Sequence, residues 1–146
     1  MFWGWGREGI ASPSDFGGNH GEESSVPRVI HFEIPVDDPN RATAFYEAAF
    51  GWRIQTWGGP ADYWLIESGE PGEPGIEGAL TLRTSVEHTV NTIGVPALDD
   101  YLAKVESAGG KAIGPRMTIP GVGYHIYCVD TEGNVFGMMQ ADETAA

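Results

Sequence analysis

Residues 30–52, IHFEIPVDDPNRATAFYEAAFGW, hold a strand, a capped helix and the start of a second strand. Ile30, Phe32, Ile34 and Val36 alternate with His31 and Glu33, the period-two pattern of a strand with two unlike faces. Asp38 is a good N-cap and Pro39 a good first helical residue. Ala42, Phe45, Tyr46 and Ala49 recur at i, i+3, i+4 and i+7 as a packing stripe, and Gly51 supplies a left-handed stop. The same order returns 59 residues on: Val95-Pro96-Ala97-Leu98 leads into a helix carrying Leu98, Tyr101, Leu102, Val105 and Ala108, which ends at Gly109-Gly110. Both copies close on a Gly-hydrophobic-hydrophobic step, Gly78-Ala79-Leu80 and Gly137-Met138-Met139, again 59 apart. Such internal repetition decides the architecture before any single element does.

Strands are predicted at 29–36, 52–57, 62–68 and 76–83 in the first copy, and at 90–95, 111–118, 124–129 and 134–140 in the second. The stretch SGEPGEPG, residues 68–75, is too rich in Pro and Gly for regular structure, and Asp130-Thr131-Glu132-Gly133-Asn134 turns the last pair of strands. The expected class is α+β, with two βαβββ modules (28–84 and 88–141) in one chain and a tail at 142–146. Residues 1–27 carry Gly, Ser and charge without periodicity and read as a disordered or loosely docked extension, whose Phe2, Trp3 and Trp5 could anchor on an apolar groove.

Composition narrows the partners. The formal charge is −13, with 8 basic residues against 21 acidic ones and no basic cluster, so nucleic acid is excluded as a partner. The acidity reads first as solvation, with an acidic cleft for a cationic ligand as the sharper alternative. No apolar run approaches the ~18–20 residues of a membrane span, and no signal-peptide pattern is seen. The single cysteine, Cys128, permits no internal disulfide; it fits a reducing, cytoplasmic setting as an inert buried thiol.

The segments IHFEIPVDDPNRATAFYEAAFGW, NTIGVPALDDYLAKVESAGGKAIGP and CVDTEGNVFGMMQ resemble the vicinal oxygen chelate superfamily, the group of glyoxalases, bleomycin-resistance proteins and extradiol dioxygenases. The resemblance runs from about residue 28 to 141. It implies modules that curl into an incomplete barrel around a central cavity, and pairing of two copies as a homodimer. In metal-using members each module gives one ligand from its first strand and one from its last. His31 falls on the first such position, Val90 on its counterpart, and Gly78 and Gly137 on the two last-strand positions, with Thr81 a substitute for Gly78 if the register slips. One ligand in four does not hold a divalent ion against water. Glu33 lies about 7 Å along the strand from His31, and the two could bind an ion only if other residues completed the shell; His88 and His125 fall at no ligand position.

The site expected from sequence is therefore His31 and Glu33 as the chemically active pair, either as general acid and base or as polar lining groups. Trp64, Gly78, Val90, Tyr124 and Gly137 are expected to contact the ligand. Glycine at both last-strand positions would leave room for an organic molecule. Trp57, Tyr63, Trp64, Tyr124 and Tyr127 offer aromatic walls, of which alternation lets only some face inward. The expected function is binding of a small organic molecule without metal. The alternatives are a metal-dependent glyoxalase-like lyase or isomerase, or a dioxygenase, built around His31 and Glu33, and a protein-interaction module. The cofactor is left open, with a divalent metal the less favoured choice.

Overall fold

The computed structural model describes residues 26–58, 62–84 and 86–146. The aromatic tip of the N-terminal extension lies outside the described residues. Among the described residues the chain divides into two compact units, residues 31–90 and residues 26–30 with 91–146. Each unit is a half-sheet carrying one helix, and the class is α+β.

The first module runs β1 (Arg28–Val36), α1 (Pro39–Phe50), β2 (Arg53–Thr56), β3 (Tyr63–Glu67) and β4 (Glu77–Leu82), with the strands in the order β2-β3-β4-β1. β1 and β4 are parallel, and the other pairs are antiparallel. Asp38 caps α1 as its side chain accepts from Arg41 N at 3.1 Å. Gly51 ends the helix at φ +73, where a side chain would be strained. One face of the sheet packs on α1: Val36, Ile66 and Leu80 form a buried core with Phe32, Ile34, Ala42, Tyr46, Trp52, Ile54 and Trp64. The helical stripe is narrower than expected. Ala42 and Tyr46 reach that core, whereas Phe45 is 57% exposed and Ala49 is exposed too.

The second module runs β5 (Val90–Gly94), α2 (Leu98–Ser107), β6 (Lys111–Ala112), β7 (Met117–Ile119), β8 (Gly123–Val129) and β9 (Val135–Ala141). β9 pairs parallel with β5 and antiparallel with β8; β6 and β7 both pair with β8. The single strand predicted at 111–118 is thus broken. Ile113 N still donates to Tyr127 O at 2.9 Å, and the ladder resumes only at Met117 opposite His125. Five residues there span three of β8, with Pro115, which has no N–H to donate, in the bulge. Val95, Leu98, Ile126, Cys128 and Met138 form the helix-side core of this module, with Tyr101, Leu102, Val105, Tyr124 and Phe136 against it. Ala97, at the N-cap of α2, offers no side-chain hydrogen bond; Gln140 on β9 accepts from Leu98 N at 2.8 Å instead. The tail is docked, because Gly121 N donates to Ala145 O at 2.8 Å and Ala145 is buried.

Candidate functional site

Pairing register assigns each strand residue to one of two faces, towards the module's own helix or away from it. In module one His31, Glu33 and Pro35 lie away from α1, beside Glu77, Ala79 and Thr81 of β4. Tyr63 and Leu65 of β3 continue that face opposite Thr81 and Ala79. His31, Glu33, Tyr63 and Thr81 are all buried, and Ala79 is fully so. These four buried polar side chains lie together on three adjacent strands.

Tyr63 binds the patch together. Its hydroxyl lies 2.9 Å from His31 Nε2 in a buried hydrogen bond, with the imidazole tautomer setting which of the two donates. Tyr63 pairs with Thr81 and His31 with Glu77, so the phenol reaches His31 diagonally, across β4 at the level of Ala79. A larger side chain at Ala79 would stand in its path. The indole of Trp57 meets the Tyr63 ring edge-on at 6.3 Å between centroids. Glu77 is the group on this face whose carboxyl is held above the ordinary carboxylate range, chiefly by desolvation, although Ser68 N donates to it at 2.7 Å.

Module two repeats the arrangement with different residues. Thr92 of β5 lies opposite Gly137 of β9, and Tyr127 and His125 of β8 lie on the same face, away from α2. Val90, two residues before Thr92 on that strand face, is buried. A Cβ added to Gly137 would sit 2.5 Å from His125 Nε2 and 3.0 Å from Thr92 Oγ1, so the imidazole crosses β9 directly over Gly137. His125 is fully buried, packed edge-on to Tyr127 at 4.4 Å, and burial lowers its pKa to about 3. It is a neutral imidazole at any physiological pH.

These registers put three of the residues expected to contact a ligand on the helix side of their modules. Trp64 belongs to the helix-side core of module one and does not share the face of His31. Tyr124 likewise packs in the α2 core, with Arg116 over its ring at 4.8 Å. Gly78 pairs with Phe32, and a Cβ there would meet the Phe32 ring at 2.5 Å, so that gap is filled from the helix side. The residue of β4 that matches Gly137 is Ala79: Glu33 faces Ala79, 46 residues on, whereas Thr92 faces Gly137, 45 on. A one-residue slip turns a side chain to the other face. Gly137 does lie on the face expected of it, but His125 fills the space the missing side chain leaves. Tyr63, expected only as one of several aromatic walls, and His125, expected at no ligand position, are the crossing residues in the two modules.

The donor set does not fit a divalent ion. The resemblance implies ligands at His31, Val90, Gly78 and Gly137; with Ala79 in place of Gly78 by register His31 is still the one donor among the four, and among the described residues no group of three or more His, Cys, Asp or Glu could hold a metal. The nitrogen of His31 that a metal would use, if Nε2, is engaged by the Tyr63 phenol.

Comparison with known proteins agrees with this architecture. A family profile described as "Bleomycin resistance protein-like N-terminal" matches residues 28–63. The fold is shared with a hypothetical protein of Bacillus halodurans, with a TM-score of 0.62 at 13% identity, covering 84% of this chain and 99% of the other. The sequence match covers part of the first module, and the likeness to the solved structure is one of fold. Two further solved structures have the same fold. One is methylmalonyl-CoA epimerase of Streptomyces coelicolor in complex with 2-nitronate-propionyl-CoA (TM-score 0.59, 13% identity, 84% of this chain and 99% of that one). The other is methylmalonyl-CoA epimerase of Mycobacterium tuberculosis (TM-score 0.56, 14% identity, 78% and 87%). No curated protein matches the sequence. No helix of the described residues is long and apolar enough to cross a membrane.

Proposed function

We propose that this protein binds a small organic molecule on the face of module one that carries His31, Glu33, Tyr63 and Thr81, and that it does so without a divalent ion. The observation that carries the reading is the buried His31–Tyr63 hydrogen bond beside Glu33, on a face too poor in donors for a metal. Polar groups held in place by a neighbour, with apolar strand surface around them, suit recognition of an organic ligand.

The charge of that face narrows the ligand class. Glu33, Glu67 and Glu77 lie on it by register, and Arg53, the one cation that the strand pairing puts there among the described residues, is paired with Glu67 at 2.5 Å. The other arginine pairs, Arg41–Asp38, Arg83–Asp37 and Arg116–Asp99, likewise commit their cations to carboxylates. A ligand bearing phosphates, as an acyl-CoA does, finds no available cation on such a face; an amine or a neutral hydrogen-bond donor finds acceptors. The proposed ligand is therefore a cationic or neutral donor-rich organic molecule, not an acyl-CoA.

A thermal-shift screen of small amines, neutral amides and alcohols, carboxylates and CoA esters tests this. Stabilisation follows RT ln(1 + [L]/Kd), about 2.7 kcal/mol at a hundred times Kd. Amines or neutral donors are expected to stabilise the wild type, and Glu33→Gln and His31→Ala to lose most of that shift. Stabilisation by CoA esters alone, or equal shifts in the wild type and both variants, would refute the proposal.

A further inference from the structure

We infer that Tyr63 takes the place of a metal ion on His31: the phenol occupies the imidazole nitrogen, and its ring occupies the corridor over Ala79 through which a last-strand carboxylate would reach the same point. The inference rests on the metal-free reading above and gives it a structural cause.

Two observations carry it. The first is the bond itself. Whichever partner donates, Nε2 of His31 is spent, either because it accepts the phenol proton or because it bears a proton of its own. A metal needs that lone pair free. The second is the repetition of the device. In each module a small last-strand residue, Ala79 or Gly137, lies under a side chain from the next strand, Tyr63 or His125. In each, that small residue stands opposite the first-strand position two residues after His31 or Val90. In module two the crossing side chain and any last-strand side chain exclude each other, because a Cβ alone at Gly137 already falls within 2.5 Å of the imidazole; in module one the methyl of Ala79 is small enough to leave Tyr63 its path, and a longer side chain there would compete for it. Loss of a carboxylate and gain of a crossing residue are thus one change in packing. In module one the crossing residue ends on a histidine; in module two the equivalent position is Val90, and the imidazole of His125 is fully buried, which keeps it neutral.

The test restores the donor set. Wild type, Ala79→Glu, Tyr63→Phe and the double variant are each checked for folding by circular dichroism, then titrated with nickel(II) chloride by calorimetry. The double variant, with His31, Glu33 and the new carboxylate converging and no phenol between them, is expected to bind nickel at least tenfold more tightly than the wild type. Ala79→Glu with Tyr63 retained is expected to show no such gain. Equal affinity in Ala79→Glu and the double variant, or a folded double variant without gain, overturns the inference. Should the double variant not fold, Tyr63→Phe alone is read by nitrogen-15 NMR. Its His31 ring signals should broaden at lower nickel concentration than those of the wild type, and identical broadening overturns the inference. Tight nickel binding by the wild type itself would instead remove the metal-free reading beneath it, so the two failures are distinct.

Discussion

Gly137→Ala is the most economical perturbation of the crossing arrangement. The added methyl would lie 2.5 Å from His125 Nε2 and 3.0 Å from Thr92 Oγ1, roughly an ångström short of ordinary contact at the closer atom. Neither neighbour retreats easily, as both are fully buried and the imidazole is already against the Tyr127 ring. Overpacking of this kind costs about 1–3 kcal/mol. Gly→Ala at a compatible backbone otherwise gains about 0.4–1 kcal/mol through the unfolded state, and Gly137 is not at positive φ. Gly114→Ala isolates that gain, since a Cβ there meets nothing within 4 Å and its φ is not positive. By urea unfolding, Gly137→Ala should therefore be less stable than Gly114→Ala by about 1–3 kcal/mol. The cycle with His125→Ala adds a sharper check, because truncating the imidazole makes room for the methyl. The double variant should be more stable than the sum of the singles predicts, by about 1 kcal/mol or more. Equal stability of Gly137→Ala and Gly114→Ala, or strict additivity in the cycle, would refute the placement of His125 over Gly137.

Two other consequences follow from the same packing. His125 has its pKa depressed from 6.5 to about 3 by burial, so between those values the unfolded state binds the extra proton and folding stability is lost as pH falls. His125→Leu should flatten the decline in stability from pH 6 to pH 4 in urea titrations, and an unchanged slope would contradict the buried neutral imidazole. Gln140→Ala removes the acceptor that caps Leu98 N at the start of α2; a loss of about 1 kcal/mol is expected by thermal or urea unfolding, and no loss would mean that the cap contributes nothing.

Particular residues show how far the sequence could be read. The cap at Asp38, the stop at Gly51 and the two-faced strand holding His31 and Glu33 rest on local rules, alternation and backbone preference, and the structure has all three. That Trp64 and Tyr124 pack on the helix side was not legible, for a physical reason. β3, YWLIE, and β8, GYHIYCV, bury residues on both faces, so neither alternates in polarity and the face of an aromatic cannot be told from the pattern. Gly78 misled through the repeat itself. The 59-residue offset holds for the first strands and falls to 58 at the last ones, where Ala79 matches Gly137. A likeness of letters across a variable loop does not report a one-residue slip, although that slip inverts the face. The crossing of Tyr63 and His125 had one faint signal, a small residue in the middle of each last strand, but which neighbour fills the gap is a matter of register between distant segments.

Metal content measured on protein purified without an affinity tag tests the central claim most directly, combined with ligand titration before and after chelation. Nickel, zinc, iron and manganese far below one ion per chain, with ligand affinity untouched by EDTA, is the outcome predicted from His31 engaged by Tyr63 and from Ala79 and Gly137 at the last-strand positions. One ion per chain, with binding lost on chelation and recovered on adding the ion back, would contradict it.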